Sequence, residues 1–273
     1  MTIPVERAGL AIRAAMHPLL NELHLICEAL QQNGAARVVA PQRRAFDFVA
    51  ELVLPLLERQ APLVESVGIA HAPGSLVDHF SWLDWWSRCG SGGSMQVPYD
   101  LDPQSISYYD YASREWFQAP RESGLPVAVG PYVDAGAATF VSAVRLAIPV
   151  STASGVHVLG CDLSLAQLEA LFVQAIAAVD PALALVGGSG RVLASNSARH
   201  APGTKASDGW PSWRVFMAED GFATVWTIRA PGAGAGARCR VPSQAGRRAS
   251  RHSISRVAAG FSGTAERATE EDA

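Results

Sequence analysis

The chain lacks nearly every feature by which a sequence declares an enzyme, a metalloprotein or a membrane protein. In its 273 residues there is no G-x-S-x-G nucleophile elbow. The glycines of GSGGS (90–94) and GGSG (187–190) are not followed by the Lys-Ser/Thr of a phosphate loop, so they fit turns. Seven histidines show no ligand spacing: His17 and His24 stand two helical turns apart, beyond the i, i+4 reach of a helical metal pair. Four cysteines (Cys27, Cys89, Cys161, Cys239) are scattered without a CxxC pair, which points to free thiols and a reducing compartment. A net charge of −3 provides no broad field for nucleic acid or an acidic membrane. The longest apolar stretch, 163–179, is interrupted by Glu169 and falls short of the ~20 residues of a membrane span. Glu6, Arg7 and Arg13 break up the N-terminus where a secretory signal would be continuous. These absences predict a soluble, cytoplasmic chain with no metal, no cofactor, no nucleic-acid partner and no catalytic residues.

What is present is a sizeable core and a changing periodicity. Hydrophobic residues make up 49% of the chain, enough for one large or two small domains. Residues 5–30 repeat apolar side chains every three to four positions (Leu10, Ala14, Leu20, Leu23, Ile26, Cys27, Leu30), predicting a helix that Pro18 interrupts by one donor. A second helix is predicted over 41–57, with Phe46, Val49, Leu52, Val53 and Leu56 on one face. The period then shortens. VESVGIAHAPGSLV and FSWLDWW read as strands about a Pro73-Gly74 turn, and 127–131, 140–150 and 155–162 as strands of an antiparallel sheet. Ser164 is a candidate cap for a helix over 165–179. Residues 182–196 form a hairpin pattern, and 212–230 a further strand pair around Asp220-Gly221. From 231 to 273 the composition turns to Gly, Ala, Ser and Arg, which buries too little surface to offset chain entropy, so disorder is expected there.

The chemistry concentrates between Tyr108 and Leu168. Arg114-Glu115-Trp116-Phe117-Gln118-Ala119 is followed by Gly130-Pro131-Tyr132-Val133-Asp134 and then by Gly160-Cys161-Asp162-Leu163-Ser164-Leu165. A guanidinium pairs a carboxylate through a planar fork, a buried ammonium needs an anionic partner, and aromatic walls exclude water from both. In FSWLDWW, period two separates Trp82, Asp84 and Trp86 from Leu83 and Trp85, and Trp86 and Asp84 are the candidates for the same cavity. A second carboxylate would suit a diamine or polyamine.

In order and spacing these runs resemble the double Cache (PAS-like) ligand-sensing domains of bacterial chemoreceptors, histidine kinases and cyclic-di-nucleotide enzymes. The resemblance spans about residues 5–230 and is strongest over 108–168. It implies an α+β fold of two PAS-like lobes with antiparallel sheets stacked along a long N-terminal helix. The divisions are a helical segment over 5–62, a larger ligand-binding lobe over 63–168, a smaller lobe over 169–230 and the tail beyond. By resemblance to the amino-acid-binding subgroup, Tyr109, Arg114 and Trp116 hold a ligand carboxylate, and Asp162 with Tyr132 holds its ammonium. Phe117 and Asp134 complete the set, Phe117 standing where tyrosine is common. The implied function is a non-enzymatic sensor of a small amine-bearing metabolite, an amino acid or polyamine, relaying binding to an unknown protein partner. A homodimer through the N-terminal helices, serving as a scaffold without ligand, and a small-molecule enzyme are the alternatives. The chain carries no recognisable transmembrane helices and no kinase, cyclase or methyl-accepting segment, and is read as a solitary, soluble member.

Overall fold

Helix α1, Thr2–Gln32, runs through Pro18 and buries Ala8, Ile12, Met16, Leu19, Leu23, Ile26 and Leu30, a stripe at three- and four-residue spacing. Leu10, expected on that stripe, is 66% exposed, because the buried face is centred on Ile12 and Met16. The structure, a computed structural model, describes residues 2–90, 92–133, 142–176, 182–216 and 221–231. The tail from 232 onward and Asp220 of the expected last turn lie outside the described residues.

The second helix is shorter than predicted. Its first turns are a 3-10 turn, Arg43–Phe46, and regular α-helix begins only at α2, Val49–Arg59. Long-range bonds hold this segment: the Arg43 backbone N–H donates to the Asp78 carboxylate at 2.9 Å, and its guanidinium donates to Asp84 at 2.6 Å.

Six strands then form one antiparallel sheet: β1 Val64–Ala70, β2 Leu83–Arg88, β3 Ser94–Gln96, β4 Val127–Val133, β5 Ser142–Thr152 and β6 Gly155–Ser164, in the order β3-β2-β1-β6-β5-β4. Only the second half of FSWLDWW is strand. Helix α3, Glu115–Ser123, precedes β4, and α4, Leu165–Ile176, follows β6 directly. A second sheet holds β7 Ala184–Val186, β8 Val192–Ser195, β9 Ser212–Phe216 and β10 Trp226–Arg229, ordered β8-β7-β10-β9.

Alternation sorts the larger sheet into two faces. Val67, Ile69, Trp86, Val144, Leu146, Leu159, Cys161 and Leu163 join α1, α2 and α4 in a single apolar cluster. That cluster also takes in Leu183, Leu185, Trp226 and Ile228 of the second sheet and its approaches, so both sheets are anchored on the same core. Each fully buried leucine or isoleucine there contributes about 1.5–3 kcal/mol. The opposite face carries Leu83, Trp85, Ala147 and Val158, packed with Tyr111, Trp116 and Phe117. The architecture is α+β, two antiparallel sheets along a long N-terminal helix.

Candidate functional site

Two backbone features set the site. At Gly160 an added Cβ would lie 2.3 Å from the Trp85 ring, so the absence of a side chain lets the indole pack against the backbone of β6. In β4 the register with β5 shifts between Val129 and Tyr132, around Gly130 at φ 134°. The extra residue brings Tyr132 to the same face as Val129, which period two alone would not do.

On that face the Asp162 carboxylate, 3% exposed, accepts four hydrogen bonds. Oδ1 receives the Tyr132 hydroxyl and Arg145 Nε, each at 2.6 Å, and Oδ2 receives Arg145 Nη2 at 2.6 Å and the Ser66 hydroxyl at 2.5 Å. Ser66 in turn accepts from Trp85 Nε1 at 2.9 Å. The Arg145 guanidinium, 1% exposed, has its carbon 4.4 Å from the Trp85 ring, 4.4 Å from Trp116 and 5.5 Å from Tyr132. Burial disfavours its charge, but Asp162 foremost, then the nearby Tyr132, more than compensates and holds the guanidinium protonated well above the usual arginine range. The unit is a cation in an aromatic box, clamped on a saturated carboxylate.

Of the residues expected together, Trp116, Tyr132 and Asp162 meet around this unit, and Phe117 supports Trp116 edge-on with ring centroids 5.9 Å apart. Tyr109 stacks on Tyr99 at 4.7 Å. Arg114 is not the fork facing Asp162. It is exposed, at the cap of α3, with its guanidinium 5.8 Å from the Tyr109 ring. Asp134 lies outside the described residues.

Trp86 and Asp84 belong to the opposite face, a correction to the expected site. Strand alternation puts Trp85, not Trp86, beside Asp162, and sends Trp86 into the helix-covered core. Asp84, fully buried, accepts from Arg43 Nη2 at 2.6 Å and Trp82 Nε1 at 3.1 Å and contacts His71 Nε2 at 3.1 Å. Burial pushes its pKa up, yet the bonds from His71 and Arg43 prevail and the net direction is downward. Behind it the His71 and His157 rings stand 5.0 Å apart, and burial, then His71 and Arg121, depress His157 to about 3.

Sequence reading missed three groups. Arg145, Ser66 and Trp85 complete the Asp162 unit, and Arg145 is paired directly across the β5–β6 ladder from Asp162. The two-residue turn between Thr152 and Gly155 fixes that register, so counting back from the turn would have placed them opposite one another. Tyr111 was also missed; its hydroxyl donates to the His71 carbonyl at 2.7 Å and accepts from the Trp82 N–H at 3.2 Å, closing the β1–β2 connection. A separate cleft of about 430 Å³ lies beside β4, lined by Glu115, Val129, Gly130, Ser189 and Thr224 among others.

No family model matches the chain, and no curated protein matches it. Solved structures do. One, described as methyl-accepting chemotaxis protein X, is 17% identical with a TM-score of 0.56, over 84% of this chain and 97% of that one. The ligand-binding domain of the Pseudomonas aeruginosa amino-acid chemoreceptor PctC, in complex with GABA, is 17% identical with a TM-score of 0.51, over 83% and 95%. That of the Pseudomonas fluorescens chemoreceptor CtaA, in complex with L-valine, is 16% identical with a TM-score of 0.50, over 84% and 94%. At such identities the likeness is one of fold, and it is the fold that the resemblance to double Cache sensor domains implies. No described helix is long and apolar enough to cross a membrane.

Proposed function

We propose that the chain is a non-enzymatic sensor domain that binds a small amine-bearing metabolite, an amino acid or polyamine, on the aromatic face of the larger sheet. The observation that carries this reading is the buried Asp162 carboxylate, bonded by Tyr132 and by Arg145, whose guanidinium lies against Trp85 and Trp116. A desolvated carboxylate beside aromatic faces suits a cation, and the described structure already seats one, Arg145, on it. In the bound state the ligand amine engages Asp162 and Tyr132, while Arg114 and Tyr109, at the rim, receive a ligand carboxylate. Asp134 is assigned to the same site.

Catalysis is disfavoured on chemical grounds. A carboxylate accepting four donors is a poor base, and burial holds the Cys27 thiol up at about 12 and Cys161 well above its ordinary value, so neither is a nucleophile at neutral pH. The free thiols Cys27, Cys89 and Cys161 support a reducing, cytoplasmic setting. We assign ligand binding to 63–168, with 169–230 as the smaller lobe, and a protein partner as the reader of the change.

Thermal unfolding in the presence of amino acids, diamines and amine-free carboxylates tests the reading. A ligand at about 100 times its Kd adds roughly 2.7 kcal/mol to stability. Amines should stabilise the protein and Arg114→Ala should weaken the response to amino acids more than to diamines. Stabilisation by carboxylates alone would overturn the reading.

A further inference from the structure

This inference rests on the reading just given and concerns how the same site is regulated. A carboxylate offers about four lone-pair positions, and all those of Asp162 are taken: two by neutral hydroxyls, Tyr132 and Ser66, and two by the Arg145 fork. An incoming ammonium therefore finds no vacant acceptor. Arg145 is the single charged donor among the three residues, and its departure frees one position on each oxygen together. Its guanidinium, with its carbon 4.4 Å from the centroids of two indoles whose planes meet at 56°, also sits in an aromatic corner as a guanidino or amine ligand would.

We propose that Arg145 is a tethered internal cation occupying the box of Trp85 and Trp116, which an amine-bearing ligand must displace from Asp162, so that affinity is set by competition within the chain. The described conformation is the self-occupied one. The apparent affinity for an external cation is reduced by the fraction of molecules in which the box is open. A guanidinium, matching the bidentate fork on Asp162, displaces Arg145 better than a plain ammonium of the same charge.

The test is titration calorimetry with thermal unfolding on the full chain, using methylguanidinium, L-arginine and putrescine as probes and succinate as an amine-free control. Arg145→Gln should bind methylguanidinium and L-arginine at least about tenfold more tightly than the unaltered protein. Arg145→Lys keeps the tethered charge without the fork and should fall between. Truncation strands the buried Asp162 charge, so where Arg145→Gln does not fold alone, dose-dependent recovery of folding by methylguanidinium, absent with succinate, gives the same support, and no recovery with any of the three cations overturns the proposal. The double variant Arg145→Gln with Asp162→Asn, neutral at both positions, should fold and bind none of them; cation binding to it as tight as to Arg145→Gln overturns the proposal. If the unaltered protein binds amines and Arg145→Gln binds them no better, competition is wrong while amine sensing stands. If the unaltered protein ignores all three and Arg145→Gln binds them, the internal cation stands and amine sensing by the natural chain falls. Silence from a folded Arg145→Gln removes both.

Discussion

The larger sheet buries an aspartate on each face, and the two are held in different ways. Asp84 draws its partners from separate parts of the chain, Arg43 before α2, His71 after β1 and Trp82 before β2, so it staples loops onto the sheet. Arg43 is 25% exposed and also pairs with Asp47. Asp162 draws its donors from three other strands of its own sheet, β1, β5 and β4, and its arginine is buried against two indoles. Burial and a guanidinium partner are common to both. The aromatic enclosure, and donors already fixed by the ladder, distinguish the proposed binding site from the one that fastens the fold.

The contrast can be broken most forcefully at Arg145. Arg145→Met leaves Asp162 buried and uncompensated and should cost about 3–5 kcal/mol in urea unfolding. Acid comes next, acting on the helix-covered face. His157 titrates below its ordinary value of 6.5, so the folded form resists the proton that the unfolded chain accepts. Stability is therefore full above about pH 6.5 and falls as pH drops toward 3, by up to about 1.4 kcal/mol per pH unit. Asp84, also depressed, adds to the loss only below the ordinary carboxylate range. Urea midpoints between pH 4 and 7 should flatten in His157→Gln and keep their slope in Arg145→Lys. Gly160→Ala drives a methyl into the Trp85 ring and should cost about 1–3 kcal/mol, against less than about 0.5 for Gly90→Ala, where nothing lies within 4 Å. A smaller loss than at Arg145 is expected at Arg43→Met, about 1–2 kcal/mol, since that side chain reaches solvent and Asp84 keeps its other donors. Equal losses at Arg43 and Arg145 would erase the distinction between the two sites.

Much of the architecture was legible because periodicity changes sharply at Val64, and the hairpins announce their turns. The site was legible in part. Tyr132, Trp116 and Asp162 stand at the spacing of the Cache resemblance. Arg145 was hidden within an apolar run, where a lone charge reads as a solvent-facing position until its cross-strand neighbour is counted. Trp85 and Trp86 show the other limit. Period two says that adjacent tryptophans point apart, but it does not say which one the helices cover. That choice is made by packing, through the bare backbone at Gly160 and the stripe of α1. Arg114 does not face Asp162, because it precedes α3 by a single residue and helix entry leaves it exposed.

Strand β6 has a consequence beyond binding. Asp162 lies between Cys161 and Leu163, whose side chains project through the sheet into the cluster that α1 shares with the second sheet. Since close-packed side chains cannot deform without moving their neighbours, the strand that carries the carboxylate and the longest helix are tied through one continuous packing.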